Sequence, residues 1–267
     1  MKSDMGFRLS EVEHTYGRNT HILQDPCLNS WLARLCSPDT YQPQINTLIR
    51  YCYIGLLQTV MNAEFPLESC RVPTRMTSTH PDQLLETNLF RSTQRVVTVN
   101  LARAGTYPSH VCYDLLNNIM NPALVRQDHI LASRMTDEYQ QVTGTALGGA
   151  KIGGDVENAM VIFPDPMGAT GNTLISAVDH YKKTVQGRAA RYLALHLIVT
   201  PEYLKNVQAK HPDLVIYAVR LDRGLSSARA LGALPGAYWD EERGLNDQQY
   251  IVPGGGGFGE IMNNSFV

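Results

Sequence analysis

The chain has 267 residues, enough for one large domain or two small ones, and 43% apolar with 18% charged residues excludes a disordered or fibrous polypeptide. Lys and Arg number 23 against 25 Asp and Glu, a formal charge of −2, so bulk electrostatics holds no polyanion and nucleic acid is not an expected partner. No run approaches the roughly 18 consecutive apolar residues of a membrane helix.

The N-terminal stretch MKSDMGFRLSEVEH lacks the apolar core of a signal peptide, and a cytoplasmic location is expected. Five cysteines (Cys27, Cys36, Cys52, Cys70 and Cys112) are scattered with no C-x-x-C, which points to a reducing compartment rather than a disulfide framework or zinc site. From Ile45 to Phe65, apolar residues recur at Ile45, Leu48, Ile49, Cys52, Leu56 and Val60, the spacing of an amphipathic helix. Beyond Arg95 the pattern changes to short runs rich in β-branched residues: Val96 to Leu101, His129 to Ala132, Met160 to Phe163, Leu193 to Val199 and Leu214 to Val219. Helical stretches lie between them at Pro108 to Met120, Gly171 to Val185 and Pro201 to His211. This alternation predicts an α/β fold with a mostly parallel sheet covered on both faces. Two glycine-rich regions, Thr143 to Asp155 and Pro253 to Gly259, are expected to be mobile or tightly turned.

The sharpest chemical feature is the segment from Val161 to Thr173, V-I-F-P-D-P-M-G-A-T-G-N-T. A buried strand ends at an acidic residue, and a turn of small residues then opens a helix. Orphan amides and the positive end of the helix dipole favour an anion there. Thr170 and Thr173 add hydroxyl donors, Gly168 and Gly171 let the backbone approach closely, and Asp165 suits the hydroxyls of a ribose. The segment is neither a Walker A loop nor a G-x-G-x-x-G turn; an ordinary strand-to-helix turn capped by Thr is the alternative reading. The eight histidines form no H-x-x-x-H or H-E-x-x-H pair and read as packing or surface residues, and no G-x-S-x-G elbow marks a nucleophile.

D-P-M-G-A-T-G-N-T (Asp165 to Thr173) resembles the D-P-M-L-A-T-G-G-[ST] loop of the uracil phosphoribosyltransferase family. Three further segments resemble that family in the same order: N-L-A-R-A-G (Asn100 to Gly105) its I-L-R-A-G loop, T-P-E at Thr200 with K-H-P-D-L at Lys210 its A-P-E and H-P-D spacing, and Y-I-V-P-G-G-G-G-F-G-E (Tyr250 to Glu260) its Y-I-I-P-G-L-G-D-A-G-D. The resemblance implies a type I phosphoribosyltransferase-like core with a small hood, as a single domain over 1–267. Within it an N-terminal helical segment spans about 1–92, the core about 93–222, an insertion about 224–241 and the hood about 242–267.

The same resemblance implies transfer of the 5-phosphoribosyl group from phosphoribosyl pyrophosphate to uracil, with Mg2+ on the leaving pyrophosphate, in a homodimer or homotetramer. Asp165, Pro166, Met167, Gly168, Ala169, Thr170, Gly171, Asn172 and Thr173 would hold the ribose 5-phosphate, and Arg103 and Arg134 the pyrophosphate. Ile251, Gly256, Gly257 and Phe258 would meet the base, the first three through main-chain groups and Phe258 by packing on it. No protein side chain is assigned as a metal ligand. Thr143 to Asp155, with Lys151, takes the place of a loop that closes over the donor. Gly257 departs from the pattern, since it stands where the family has an Asp, and this leaves two alternatives open: a nucleotide-binding regulator that has lost turnover, or transfer to another base. Gly168 stands for a Leu and Asn172 for a Gly. The insertion is expected either to add a helix at an oligomer contact or to form a surface excursion.

Overall fold

The computed structural model describes residues 7–136 and 142–265, with the backbone alone for 132–136 and 142–147. Strand β1 (Thr20–Ile22) precedes helices α1 (Pro26–Leu35) and α2 (Gln44–Glu64), and β2 (Leu67–Val72) with β3 (Leu85–Phe90) then forms an antiparallel hairpin. The main sheet is built from β4 (Val96–Ala102), β5 (Val125–Thr136), β6 (Val142–Lys151), β7 (Met160–Pro164), β9 (Arg191–Val199) and β10 (Val215–Leu221), with α3 (Thr106–Ile119), α4 (Asn172–Thr184) and α5 (Pro201–Lys210) as crossovers. A two-residue strand, β8 (Met167–Gly168), also pairs with β9.

The strands lie in the order β1-β10-β9-β7-β4-β5-β6, parallel except for the β5–β6 pair. Period-2 alternation sends neighbouring residues to opposite faces. Val96, Met160 and Ile162 join the core under α1, α2 and α3, while Val97, Val161 and Phe163 join the one under α4 and α5. Helix α1 starts cleanly because the Asp25 carboxylate accepts from the amides of Cys27 (2.9 Å) and Leu28 (3.0 Å) and Pro26 needs no donor partner. Helix α2 buries Ile45, Leu48, Ile49, Cys52, Tyr53, Leu56, Leu57, Val60 and Met61, the stripe its spacing predicts.

From β4 the chain moves one way to β5, and from β7 it moves the other way to β9 and β10. The loops after β4 and β7 therefore diverge at the sheet's carboxyl edge and leave a crevice, which is where open α/β sheets bind ligands.

Two expectations need correction, and a third region takes a form the sequence left open. The segment 1–92 is not purely helical: β1 is a strand of the main sheet, parallel to β10, and β2–β3 is a hairpin. Thr143 to Asp155 is mostly strand β6, paired antiparallel to β5, because edge pairing satisfies its backbone groups in spite of the glycines. The insertion closes on its own chain. It holds a short helix, α6 (Ala228–Leu231), and the indole of Trp239 donates to the Pro201 carbonyl (3.0 Å) and packs edge-on to Tyr16.

Candidate active site

A cleft of about 520 Å3 lies at the crevice, between the loops after β4 and β7 and the C-terminal tail. Its floor is the segment after β7, and the elements behind that segment decide its chemistry. The carbonyl of Asp165 faces His196 Nδ1 at 2.5 Å, and that of Pro166 accepts from the amides of Leu197 and Ile198, each at 3.1 Å. The Gly168 carbonyl accepts from the Thr200 amide (3.1 Å), that of Ala169 from Thr200 Oγ1 (2.7 Å), and that of Thr170 from Asn206 Nδ2 (3.0 Å). The Met167 carbonyl takes the Ala169 amide at 3.1 Å. The acceptors of residues 165–170 are thus engaged by β9, α5 or the loop itself. The main-chain carbonyls of this stretch are therefore turned to their own partners, and the donors that suit an anion come from the start of α4, which follows it.

Gly171 caps α4 at φ +84°, and a Cβ there would meet Val207 Cγ2 at 2.7 Å. The left-handed turn leads directly into the first turn of α4, whose amides have no intrahelical acceptor. Gly171, Asn172 and Thr173 all line the cleft, so these amides, the helix dipole and the Thr hydroxyls converge on one place. Met167, Ala169, Thr170 and Asp165 line it as well. The Asp165 side chain accepts from the Met167 amide at 3.4 Å.

Pro166 and Gly168 do not line the cleft and are buried behind it. A Cβ at Gly168 would meet Val199 at 2.9 Å and the Tyr203 ring at 3.1 Å, so a glycine stands at this position because an aromatic ring fills the space, not because a ligand approaches.

Arg103 lines the opposite wall from the loop after β4. Its guanidinium donates to Ser265 Oγ (3.1 Å) and lies 3.8 Å from Glu260 Oε1, so the C-terminal tail orients it. The tail is tied down in turn. Asp222 takes both prongs of Arg220 (2.6 and 2.7 Å) and the Gly254 amide (2.8 Å), and the Glu202 carboxylate accepts from the amides of Gly244 (3.0 Å) and Leu245 (3.2 Å).

Ile251, Gly256 and Gly257 line the cleft, as does Phe258, yet the Phe258 side chain is 1% exposed and packs inward among the core residues. Stacking of that ring on a ligand is therefore not what the fold provides. A Cβ on Gly257 would lie 1.8 Å from Glu260 Oε2. The carboxylate of Glu260 fills the space beside Gly257.

Lys151 is exposed at the end of β6, paired with His129, and is not among the residues lining the cleft. The backbone of Arg134, on β5, pairs with Thr145 of β6, and its side chain is not among those described. The sequence reading missed Tyr203, Gln249, Tyr250 and Glu260, all of which line the cleft. Glu260 carried a signal as the last residue of the quoted tail motif. Among the described residues no group of three or more His, Cys, Asp or Glu is arranged to hold a metal. Mg2+ usually needs only one or two carboxylates alongside phosphates and water, so Asp165 and Glu260, both on the cleft wall, fit an ion that arrives on a phosphorylated ligand.

A sequence profile of the family described as uracil phosphoribosyltransferase matches residues 22–237. The chain is similar to the uracil phosphoribosyltransferase of Variovorax paradoxus, at 38% identity over 210 residues, which is 78% of this chain and 90% of that protein. It is 27% identical to that of Streptococcus mutans over 241 residues, 90% of this chain and 96% of that protein. Among solved structures, the AQ2163 protein from Aquifex aeolicus matches with a TM-score of 0.68 at 19% identity, covering 93% of this chain and 99% of that chain, a likeness of fold.

Proposed function

We propose that this chain, which belongs to the uracil phosphoribosyltransferase family and is a pentosyltransferase with a type I phosphoribosyltransferase core, transfers the 5-phosphoribosyl group from phosphoribosyl pyrophosphate to uracil, giving UMP and pyrophosphate. The observation that carries the reading is the one-sided cradle: the main-chain carbonyls of 165–170 are taken up by β9, α5 or the loop itself, while the start of α4 with its free amides lines the cleft beside the Asp165 carboxylate. A 5-phosphate at Thr170 to Thr173 brings the ribose hydroxyls towards Asp165, where charge-assisted hydrogen bonds are worth about 1.5–3 kcal/mol each.

The anomeric carbon develops oxocarbenium character as its bond to pyrophosphate breaks, and negative charge gathers on the leaving group. Arg103, held over the cleft by Ser265 and Glu260, meets that charge. Mg2+, when bound with Asp165 and Glu260 nearby, supplies further charge neutralisation on the pyrophosphate. Main-chain groups around Ile251 and Gly256 suit the neutral edge of uracil, and the base attacks from the tail side while pyrophosphate leaves towards Arg103. Gly257 does not strip the wall of negative charge, because Glu260 brings a carboxylate to the same place. This favours turnover over a silent regulator. The reading carries with it a cytoplasmic enzyme that forms a homodimer or homotetramer; no helix among the described residues is long and apolar enough to cross a membrane.

The test is product analysis with phosphoribosyl pyrophosphate, Mg2+ and a panel of uracil, cytosine, hypoxanthine and orotate. UMP from uracil alone is expected. Product from another base in place of uracil would overturn the base assignment, and no product from any base would overturn the reaction.

A further inference from the structure

His196 is the one strongly polar residue in the apolar run of β9, with 1% of its surface exposed. Both ring nitrogens are engaged. Nδ1 lies 2.5 Å from the Asp165 carbonyl oxygen and Nε2 2.5 Å from the Tyr203 hydroxyl. A carbonyl only accepts, so Nδ1 carries the proton, and in a neutral imidazole Nε2 then accepts from Tyr203. Burial drives the imidazole pKa down to about 4, which keeps it neutral across the physiological range. The tautomer and the direction of both bonds follow from the geometry.

Tyr203 sits in the first turn of α5, where Thr200 Oγ1 accepts its amide at 3.0 Å. Its ring is 1% exposed and lies against the faces of Gly168 and Gly171, where added Cβ atoms would come within 3.1 and 3.3 Å of it. The same residue therefore supports the cradle beneath its glycines and, through His196, holds its first carbonyl. The amide of Asp165 is fixed to the Leu195 carbonyl at 3.0 Å. Both peptide groups of the residue that carries the cleft carboxylate are thus clamped to β9, one by backbone and one by the imidazole.

We propose that His196 and Tyr203 are positioning residues for the phosphoribosyl donor: a buried relay from α5 through β9 that sets where the Asp165 carboxylate and the cradle amides stand. The inference rests on the donor-site reading above and names residues that touch no reacting atom. Packing alone would need neither the imidazole nor the hydroxyl, since Leu and Phe would fill the same volumes. A directional chain of two short bonds costs desolvation that only complete pairing offsets.

The experiment compares Tyr203→Phe, His196→Leu and His196→Asn with the wild type. Donor affinity is read by calorimetry with phosphoribosyl pyrophosphate and Mg2+, and KM for donor and for uracil by steady-state kinetics. Tyr203→Phe keeps the ring against the glycines, and a roughly tenfold weaker donor affinity is expected, the size of one lost buried hydrogen bond. His196→Leu should weaken it at least as much. His196→Asn, whose amide can still donate to the Asp165 carbonyl, should recover most of the loss. KM for uracil should stay unchanged in all three. Folded variants with unaltered donor affinity, or equal losses for donor and uracil, would overturn the proposal. Absence of donor binding by the wild type would instead remove the donor-site reading itself, and the proposal with it.

Discussion

Two glycine-bearing stretches face each other across the cleft, and the atoms next to their glycines differ. In the cradle, Gly168 and Gly171 are backed by Val199, Val207 and the Tyr203 ring, which are buried and cannot yield. In the tail, Gly254 and Gly255 are likewise backed, by the Ile251 carbonyl and by Cys36 and the Phe258 ring, but Gly257 has an ordinary φ of −83° and beside it only the far end of the Glu260 side chain. The first stretch is preorganised, so a ligand meets donors already fixed in place. At Gly257 the second holds a charged side chain that can swing, and with it the orientation of Arg103. Glycine content alone does not distinguish a rigid site from an adaptable one; what lies against each missing Cβ does.

The largest expected effect concerns the cradle's brace. His196 has its folded pKa depressed to about 4 from 6.5, so the unfolded chain binds the extra proton between these values. Its contribution to stability is fully present above pH 6.5, falls as the pH drops, and is lost on passing through about 4. Across that window the loss is about 3 kcal/mol. Urea unfolding of wild type and His196→Asn at pH 7 and 4.5 checks this: the variant should lack that part of the slope, the neighbouring Tyr203 staying protonated throughout. Equal slopes would show that His196 is not the titrating group.

Next in size is a matched pair of glycine substitutions. Gly171→Ala should cost about 1–3 kcal/mol, from a positive φ and a contact with Val207, and should weaken donor binding. Gly257→Ala should cost below about 1 kcal/mol, because Glu260 can move aside. Equal losses in thermal unfolding would erase the contrast between the two stretches.

Asp165→Asn should leave Tm nearly unchanged while weakening donor affinity roughly tenfold or more, as expected when a charge-assisted hydrogen bond to a hydroxyl becomes neutral. Calorimetry with and without the substitution decides it.

The smallest effect belongs to Glu260→Gln. The ion pair with Arg103 is long and partly exposed, so its loss changes stability by less than about 1 kcal/mol. The sign of the binding change is informative. Inorganic pyrophosphate alone should bind a few-fold more tightly once a competing carboxylate is gone, and with Mg2+ a few-fold less tightly. The same sign under both conditions would argue against a role for Glu260 beside the ion.

The sequence made the core strands legible because β-branched runs with small-residue breaks have few alternatives: four of the five expected runs lie within strands of the main sheet, and the fifth starts one residue early, at Leu214. The Asp165 to Thr173 turn was legible for a related reason, since a strand, an acid and a glycine turn before a helix leave little freedom. The β2–β3 hairpin was hidden because its pattern of partial exposure buries too little to stand out. Strand β6 was hidden by its glycines, and only pairing with β5 makes it a strand. Phe258 reads as a ring available to a ligand until the fold turns it inward. His196 was passed over among apolar neighbours, although a lone polar residue in a buried strand has to find partners. Its partners Tyr203 and Asp165 lie on other elements, as Tyr16 and its partner Glu242 do at far greater separation, and no local spacing announces them.

The most direct test of the whole account is a crystal structure of the protein with UMP. The account predicts the 5′-phosphate on the amides of Thr170 to Thr173, the ribose hydroxyls at Asp165, and the uracil edge on main-chain groups near Ile251 and Gly256, with His196 and Tyr203 unmoved. A phosphate held elsewhere, or a base bound away from the tail, would contradict it.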